Sequence, residues 1–343
     1  MTEASERPAD RLGERADESR WKLWLLLQAD RRLVAGGLLV GVFLALLAVG
    51  TLLPGAGRAI RTGDPIETTF QALLAATITG VTVVLTLNQL VLSQELGAVG
   101  DQRERMEAAL AFREDAAAAI DAPVAPARPA QFLRAFVEVA AERARNLQAA
   151  VPEEGALATA VDPLVDGLAT NADRVSASLD GAKFGEFDVV AAALDFNYSW
   201  KVFAARRIEA HHGDELNPAA AEALTELRDV LELFGPAREH FKTLYFQWEL
   251  VDLSRAVLAT ALPALVVSAC MLGFFETAVV DTTVAGLNGV VLAYAAAVTV
   301  VLAPFAILLV YVVRIATVTK RTLSVGPFIL RETDWVDEVE WDR

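Results

Sequence analysis

The stretch FQALLAATITGVTVVLTLNQLVL, residues 70–92, carries no Asp, Glu, Lys or Arg. A helix of this length reaches across the ~30 Å of hydrocarbon in a bilayer. Three more uncharged apolar stretches share the property, at residues 33–53, 256–275 and 287–313. A water-soluble core rarely buries four such segments, so the sequence predicts an all-α, four-span integral membrane protein. Between the second and third stretches lie residues 93–255, polar and acidic, long enough for one compact helical domain inserted between the two pairs of spans.

Short-loop Arg and Lys set the expected orientation. Arg20, Lys22, Arg31 and Arg32 precede the first span, and Arg103 and Arg105 follow the second. Arg238, Lys242 and Arg255 precede the third, while Arg314, Lys320 and Arg321 follow the fourth. The loop between spans one and two holds only Arg58 and Arg61, and that between spans three and four holds Glu276 and Asp281 with no base. Both termini and the central domain are therefore expected in the cytoplasm, in a cell membrane. The layout becomes a disordered terminus at 1–19, an interfacial helix at 20–32 with Trp21 and Trp24, the membrane pair within 33–92, the cytoplasmic domain at 93–255, the second pair within 256–313 and a cytoplasmic tail at 314–343. That topology makes the glycosylation-type triplet Asn197-Tyr198-Ser199 inert, and it leaves Gly55 and Gly57 in an outside turn with no strand before them.

Net charge is −15, from 45 acidic residues against 25 Arg and 5 Lys. This composition is similar to that of proteins from salt-loving archaea, whose acidic surfaces stay hydrated. With no basic stripe to offset the acid, nucleic acid is not an expected partner. The one cysteine, Cys270, lies in the third apolar stretch, rules out an intrachain disulfide and is expected to be a small packing residue.

Within the central region, the sequence predicts helices over 102–120, around 133–147, over 163–179, over 187–212 and over 218–234, and a last one from the Gly235-Pro236 break into the third span. Asp101 with Glu104 has the form of a capping box. Asp162-Pro163 and Asn217-Pro218 each read as an N-cap followed by proline in the first turn. Gly213 is expected to turn the chain after His211 and His212. Pro263 and Pro304 are candidate kinks. No segment requires β-structure.

The candidate functional residues lie in the second span. Thr68, Ala72, Ala75, Thr79, Thr82, Thr86, Gln89 and Ser93 recur at alternating spacings of four and three, so they share one helical face. Thr79, Thr82, Thr86, Gln89 and Ser93 form either a helix-packing stripe or the lining of a hydrated pathway. In the second case the span lies on the axis of a homo-oligomer, and Arg255, Arg314, Lys320 and Arg321 form a cytoplasmic basic rim. No ionisable group lies inside the spans, which speaks against proton-coupled transport. No phosphate loop, serine elbow, zincin spacing or histidine cluster is present, so no catalytic, cofactor-binding or metal-binding set is expected.

Two spans, a helical cytoplasmic domain and two more spans form an arrangement that resembles the bestrophin-like anion channels. The resemblance is one of topology and implies an oligomeric channel. Thr79, Thr82 and Thr86 stand where those channels place an apolar neck, and the chain lacks an Arg-Phe-Pro tripeptide, so no residue role is carried across. The reading that follows is a lipid-embedded, self-associating protein whose cytoplasmic domain acts as a scaffold or sensor for a protein partner. A passive channel lined by the second span is the alternative, and a membrane-bound enzyme is the least favoured.

Overall fold

The computed structural model describes residues 24, 29–62, 64–183, 187–276, 283–284 and 286–322, with the side chains of 94, 95 and 320–322 excepted. The expected disordered terminus, most of the interfacial helix and the tail beyond 322 lie outside these residues. Among the described residues the chain is all-α apart from one small hairpin. Its helices are α1 (Arg31–Leu52), α2 (Ala56–Thr62), α3 (Pro65–Glu95), α4 (Val99–Ala119), α5 (Pro129–Ala150), α6 (Ala156–Leu179), α7 (Phe187–Asp195), α8 (Tyr198–His212), α9 (Pro218–Gly273) and α10 (Gly289–Thr322). Before α10, β1 (Thr283–Val284) pairs antiparallel with β2 (Leu287–Asn288), turning through Gly286 at φ +80°. The sequence predicts no strand here; a two-residue ladder is too short to leave a period-two pattern. Four helices, α1, α3, α9 and α10, are long and apolar enough to cross a membrane.

The described residues divide into two units, and α9 contributes its first part to one and the remainder to the other. One unit comprises the described residues of Gly97–Tyr245 and 319–322. It has a single continuous apolar core that takes in faces of α5, α6, α7, α8 and the first turns of α9. α5 supplies Leu133, Phe136, Val137, Ala140, Ala144 and Leu147, the face its 3.6-residue period predicts. Phe196 and Phe234 meet edge-on at 4.8 Å between ring centroids.

Several boundaries differ from the sequence expectation. α6 starts at Ala156 and carries Pro163 inside, because Asp162 does not cap; it accepts a hydrogen bond from Gln148 Nε2 at 2.9 Å. The helix expected over 187–212 is broken at Phe196-Asn197. There Asn171 Nδ2 donates to the Asp195 carbonyl at 2.9 Å, and buried Lys201 donates to Asn171 Oδ1 at 3.0 Å and to the Asn197 carbonyl at 3.3 Å. These side chains take up polar groups that a continuous helix would have paired itself. α9 runs through Gly235-Pro236 without a stop. Phe234 and Ala237 are both anchored in the core, and a Cβ at Gly235 would stand 2.9 Å from the Tyr198 ring. The glycine therefore serves close packing, and burial outweighs the one hydrogen bond lost at proline. Gly213 has φ −55° and continues into a 3-10 turn, with His212 Nδ1 bonded to Glu215 Oε1 at 3.0 Å, so it supplies no left-handed turn. α4 begins at Val99 rather than at an Asp101 cap. Asn217 does cap, accepting from Ala220 N at 2.8 Å, while its amide donates to the Ala150 carbonyl at 2.7 Å.

The other unit comprises the described residues of Trp21–Leu96 and Phe246–Val318. At one end, Arg31 of α1 pairs with Glu249 of α9 and lies over the Tyr311 ring of α10 at 4.9 Å. At the other end, Gly50 of α1 faces Val291 of α10, and Gly57 of α2 faces Asn288. Between α3 and α10, Tyr294 Oη donates to Thr69 Oγ1 at 3.2 Å. Val84 of α3 packs with Leu253 and Val257 of α9, with Tyr311 alongside. These contacts fix an alternating up-and-down order for α1, α3, α9 and α10. The start of α1, the end of α3, the 249–257 part of α9 and the 311–314 part of α10 share one end. Arg31, Arg32, Arg255 and Arg314 therefore gather there, while Arg58 and Arg61 sit on α2 at the opposite end.

Candidate functional site

α3 has two unlike faces. Phe70, Thr77 and Val84, seven residues apart, are buried at 0–1% exposure and form the seam by which α3 packs inside its unit. At 100° per residue, the stripe from Thr68 to Ser93 lies on the opposite side of the helix. All eight of its residues are exposed. The structure thus brings Thr79, Thr82, Thr86, Gln89 and Ser93 onto one outward face.

Four hydroxyls on that face donate to their own helix. Thr79 Oγ1 donates to the Ala75 carbonyl at 2.9 Å, Thr82 to Ile78 at 3.0 Å, Thr86 to Thr82 at 3.0 Å and Ser93 to Leu90 at 2.8 Å. Such back-bonding to the preceding turn uses the hydroxyl proton, so no water or partner acceptor is needed to receive it. What the face offers outward is therefore low relief: small side chains and methyl groups, with the Gln89 amide at its basic end. Small residues at such a face let a second helix approach closely.

Of the four residues expected to form a basic rim, Arg255 and Arg314 have described side chains. Arg255 is exposed, whereas Arg314 is buried at 7%. Lys320 and Arg321 fall in the last turn of α10, and their side chains lie outside the described residues. Cys270, read as a packing residue, is exposed.

Sequence reasoning missed the ion pair Arg31–Glu249, in which the Glu249 side chain is 2% exposed. Its signal was present. Glu249 falls four residues after Tyr245 and four before Leu253, both buried, so it occupies an inward helical position. Also missed was a groove of ≈ 530 Å³ in the helical domain, lined by Asp115, Asp121, Arg143, Glu226, Asp229 and Glu232 among others. Arg143 pairs there with Asp121 and, at 3.3 Å, with Glu226. Elsewhere on the same domain, the hydrogen bond from Arg134 to Glu138 raises the guanidinium pKa above its already high ordinary value, aided by the charges of Glu138 and Asp180. Among the described residues, no group of three His, Cys, Asp or Glu side chains is placed to hold a metal ion.

The outward face of α3 and the alternating spans extend through a chain that matches one family along its full length, residues 1–343. The chain belongs to the family of unknown function DUF7972. No curated protein and no solved structure matches it.

Proposed function

We propose that this is a non-enzymatic, multi-pass protein of the cell membrane that self-associates through the outward face of α3. Its central helical domain and both termini lie in the cytoplasm, where the domain acts as a scaffold or sensor for a protein partner. The observation that carries the reading is the two-faced character of α3. One face is spent on packing inside the chain, and the opposite one is a regular stripe of small and hydroxyl side chains that lipid tails would fill poorly. Packing is favoured over a hydrated pathway because the Thr and Ser hydroxyls bond to their own helix. The orientation follows from the gathering of Arg31, Arg32, Arg255 and Arg314 at one end of the spans.

Replacing Thr82 and Thr86 together by Leu tests the seam. Wild-type protein in mild detergent at high salt is expected to run as an oligomer by light scattering, and the double variant as smaller species. A monomeric wild type overturns self-association. In a Cys270→Ser background, Asp64→Cys is expected to react with an impermeant thiol reagent in intact cells and Glu153→Cys to be protected; the reverse pattern overturns the orientation. Purified protein in planar bilayers is expected to pass no current. A current that changes on Gln89→Glu would replace the packing reading with the channel.

A further inference from the structure

Two membrane-crossing helices present the same order of side chains where their apolar stretches begin. On α1 it is Asp30, Arg32 and Leu33; on one row of α9 it is Asp252, Arg255, Leu258, Leu262 and Val266. All are exposed, with Leu33, Leu262 and Val266 at 77%, 66% and 54%. The α9 row lies opposite Leu253 and Val257, the side chains that pack with Val84. At 1.5 Å per residue, Arg32 stands about 30 Å from the end of α1 at Leu52, and Arg255 about 27 Å from the end of α9 at Gly273. Each arginine therefore sits one hydrocarbon thickness, ~30 Å, from the far end of its helix, at the level of the lipid headgroups.

The neighbouring charges are taken up inside the chain, and these two guanidiniums are not. Glu249 pairs with Arg31, and Arg314 is buried. Asp30 Oδ1 accepts from the backbone N–H of Arg32 at 2.7 Å, so it caps α1. Among the described residues, no carboxylate pairs with the Arg32 or Arg255 guanidinium. Asp252 stands about one turn from Arg255, on the side away from the apolar run. We infer that Arg32 and Arg255 are a binding surface for anionic phospholipid, each guanidinium holding a headgroup phosphate while the acyl chains lie along the apolar residues beyond it.

Position and charge select that occupant. Apolar side chains exposed on a membrane-crossing helix are covered by acyl chains, so the group that meets the next side chain outward is a headgroup. A guanidinium offers phosphate paired N–H donors in a planar fork, and its apolar stem lies along lipid. The chain as a whole, at net charge −15, repels anions. Binding of an anionic lipid is therefore confined to local bases, and the loss of one base is measurable. At the opposite end, the charge adjoining the apolar run of α3 is the exposed acid Glu67. The inference rests on the four-span reading, but neither on the α3 seam nor on which side is cytoplasmic.

Titration of the detergent-solubilised full chain with phosphatidylglycerol and with phosphatidylcholine of the same acyl chains, read by native mass spectrometry, tests it. Wild type is expected to favour phosphatidylglycerol. Arg32→Gln and Arg255→Gln should each weaken binding of that lipid about five-fold and leave phosphatidylcholine unchanged. Arg128→Gln, which removes the same charge from an exposed position of the helical domain, should alter neither. Arg255→Lys keeps the charge and should keep most of the preference. Equal affinity of wild type for the two lipids, or a loss as large in Arg128→Gln as in Arg255→Gln, overturns the inference. So does an equal loss in the Lys and Gln variants, which would mark a packing effect. Displacement of phosphatidylglycerol by inorganic phosphate at the same concentration would make the site one for free phosphate and end the lipid assignment. Failure of the four-span reading appears separately, as release of the chain from native membranes by alkaline carbonate.

Discussion

α5 and α3 show two ways for a helix to be apolar. α5 buries nine of its 22 residues along one broad face and leaves charges on the other. α3 has 31 residues, yet only the narrow row Phe70, Thr77 and Val84 among its described side chains is buried. Many of its other apolar side chains are exposed, among them Ile78, Val83, Leu85 and Leu90 at 44–59%. In water the second pattern would be untenable, because exposed apolar area at roughly 25 cal/mol per Å² would draw the helix into a core or an aggregate. In lipid that drive is absent, and close packing decides which helices touch. The same contrast separates the units: among the described residues, one continuous core lies in the helical domain, and small clusters form around Phe70 and Val84 in the spans.

The contrast can be broken by substitutions that belong to one regime. Phe136→Ala removes a ring 1% exposed and 5.1 Å from Phe132, at a cost of about 3–5 kcal/mol. Hydrogen-exchange mass spectrometry should show faster exchange across α5–α8 and unchanged exchange in α1 and α3. Equal acceleration in both would mean that the units do not unfold separately. Arg31→Met removes the cation beside buried Glu249 and should cost on the order of 3 kcal/mol. Its effect should appear as a lower melting temperature in detergent, with exchange rising in the spans. Asn217→Ala deletes the cap of α9 and the bond to the Ala150 carbonyl, for about 1 kcal/mol. Faster exchange should then be confined to the first turn of α9 and the end of α5. Thr82→Leu with Thr86→Leu should leave unfolding of the single chain within about 0.5 kcal/mol of wild type, since both side chains are exposed. A larger loss would place the stripe inside the chain's own packing.

The spans, the face of α5 and the cap at Asn217 were legible because each depends on local pattern alone: length without charge, a 3.6-residue period, a side chain three residues from a free N–H. The stripe on α3 was legible as a face, but not the direction in which that face points. Direction depends on which other helix lies against Phe70, Thr77 and Val84. The misread positions share a cause. Gly235, Pro163 and Gly213 carry strong local stop signals, and at Gly235 a distant ring, that of Tyr198, overrides the local preference. The break at Phe196-Asn197 has no proline or glycine to announce it, because it is held by Asn171 of α6 together with Lys201 of the following turn. The inward position of Glu249 was legible from its spacing to Tyr245 and Leu253, but its partner Arg31, 218 positions away, was not.

Cys270 is the single thiol among 343 residues, and it faces outward from α9 a few positions before the helix ends at Gly273. The protein thus carries its own depth gauge. A nitroxide or fluorophore attached there, with no substitution at all, would sit near one boundary of the hydrocarbon. Quenching by lipid-borne oxygen against a water-soluble nickel chelate would then read how far that end of α9 lies from the aqueous phase.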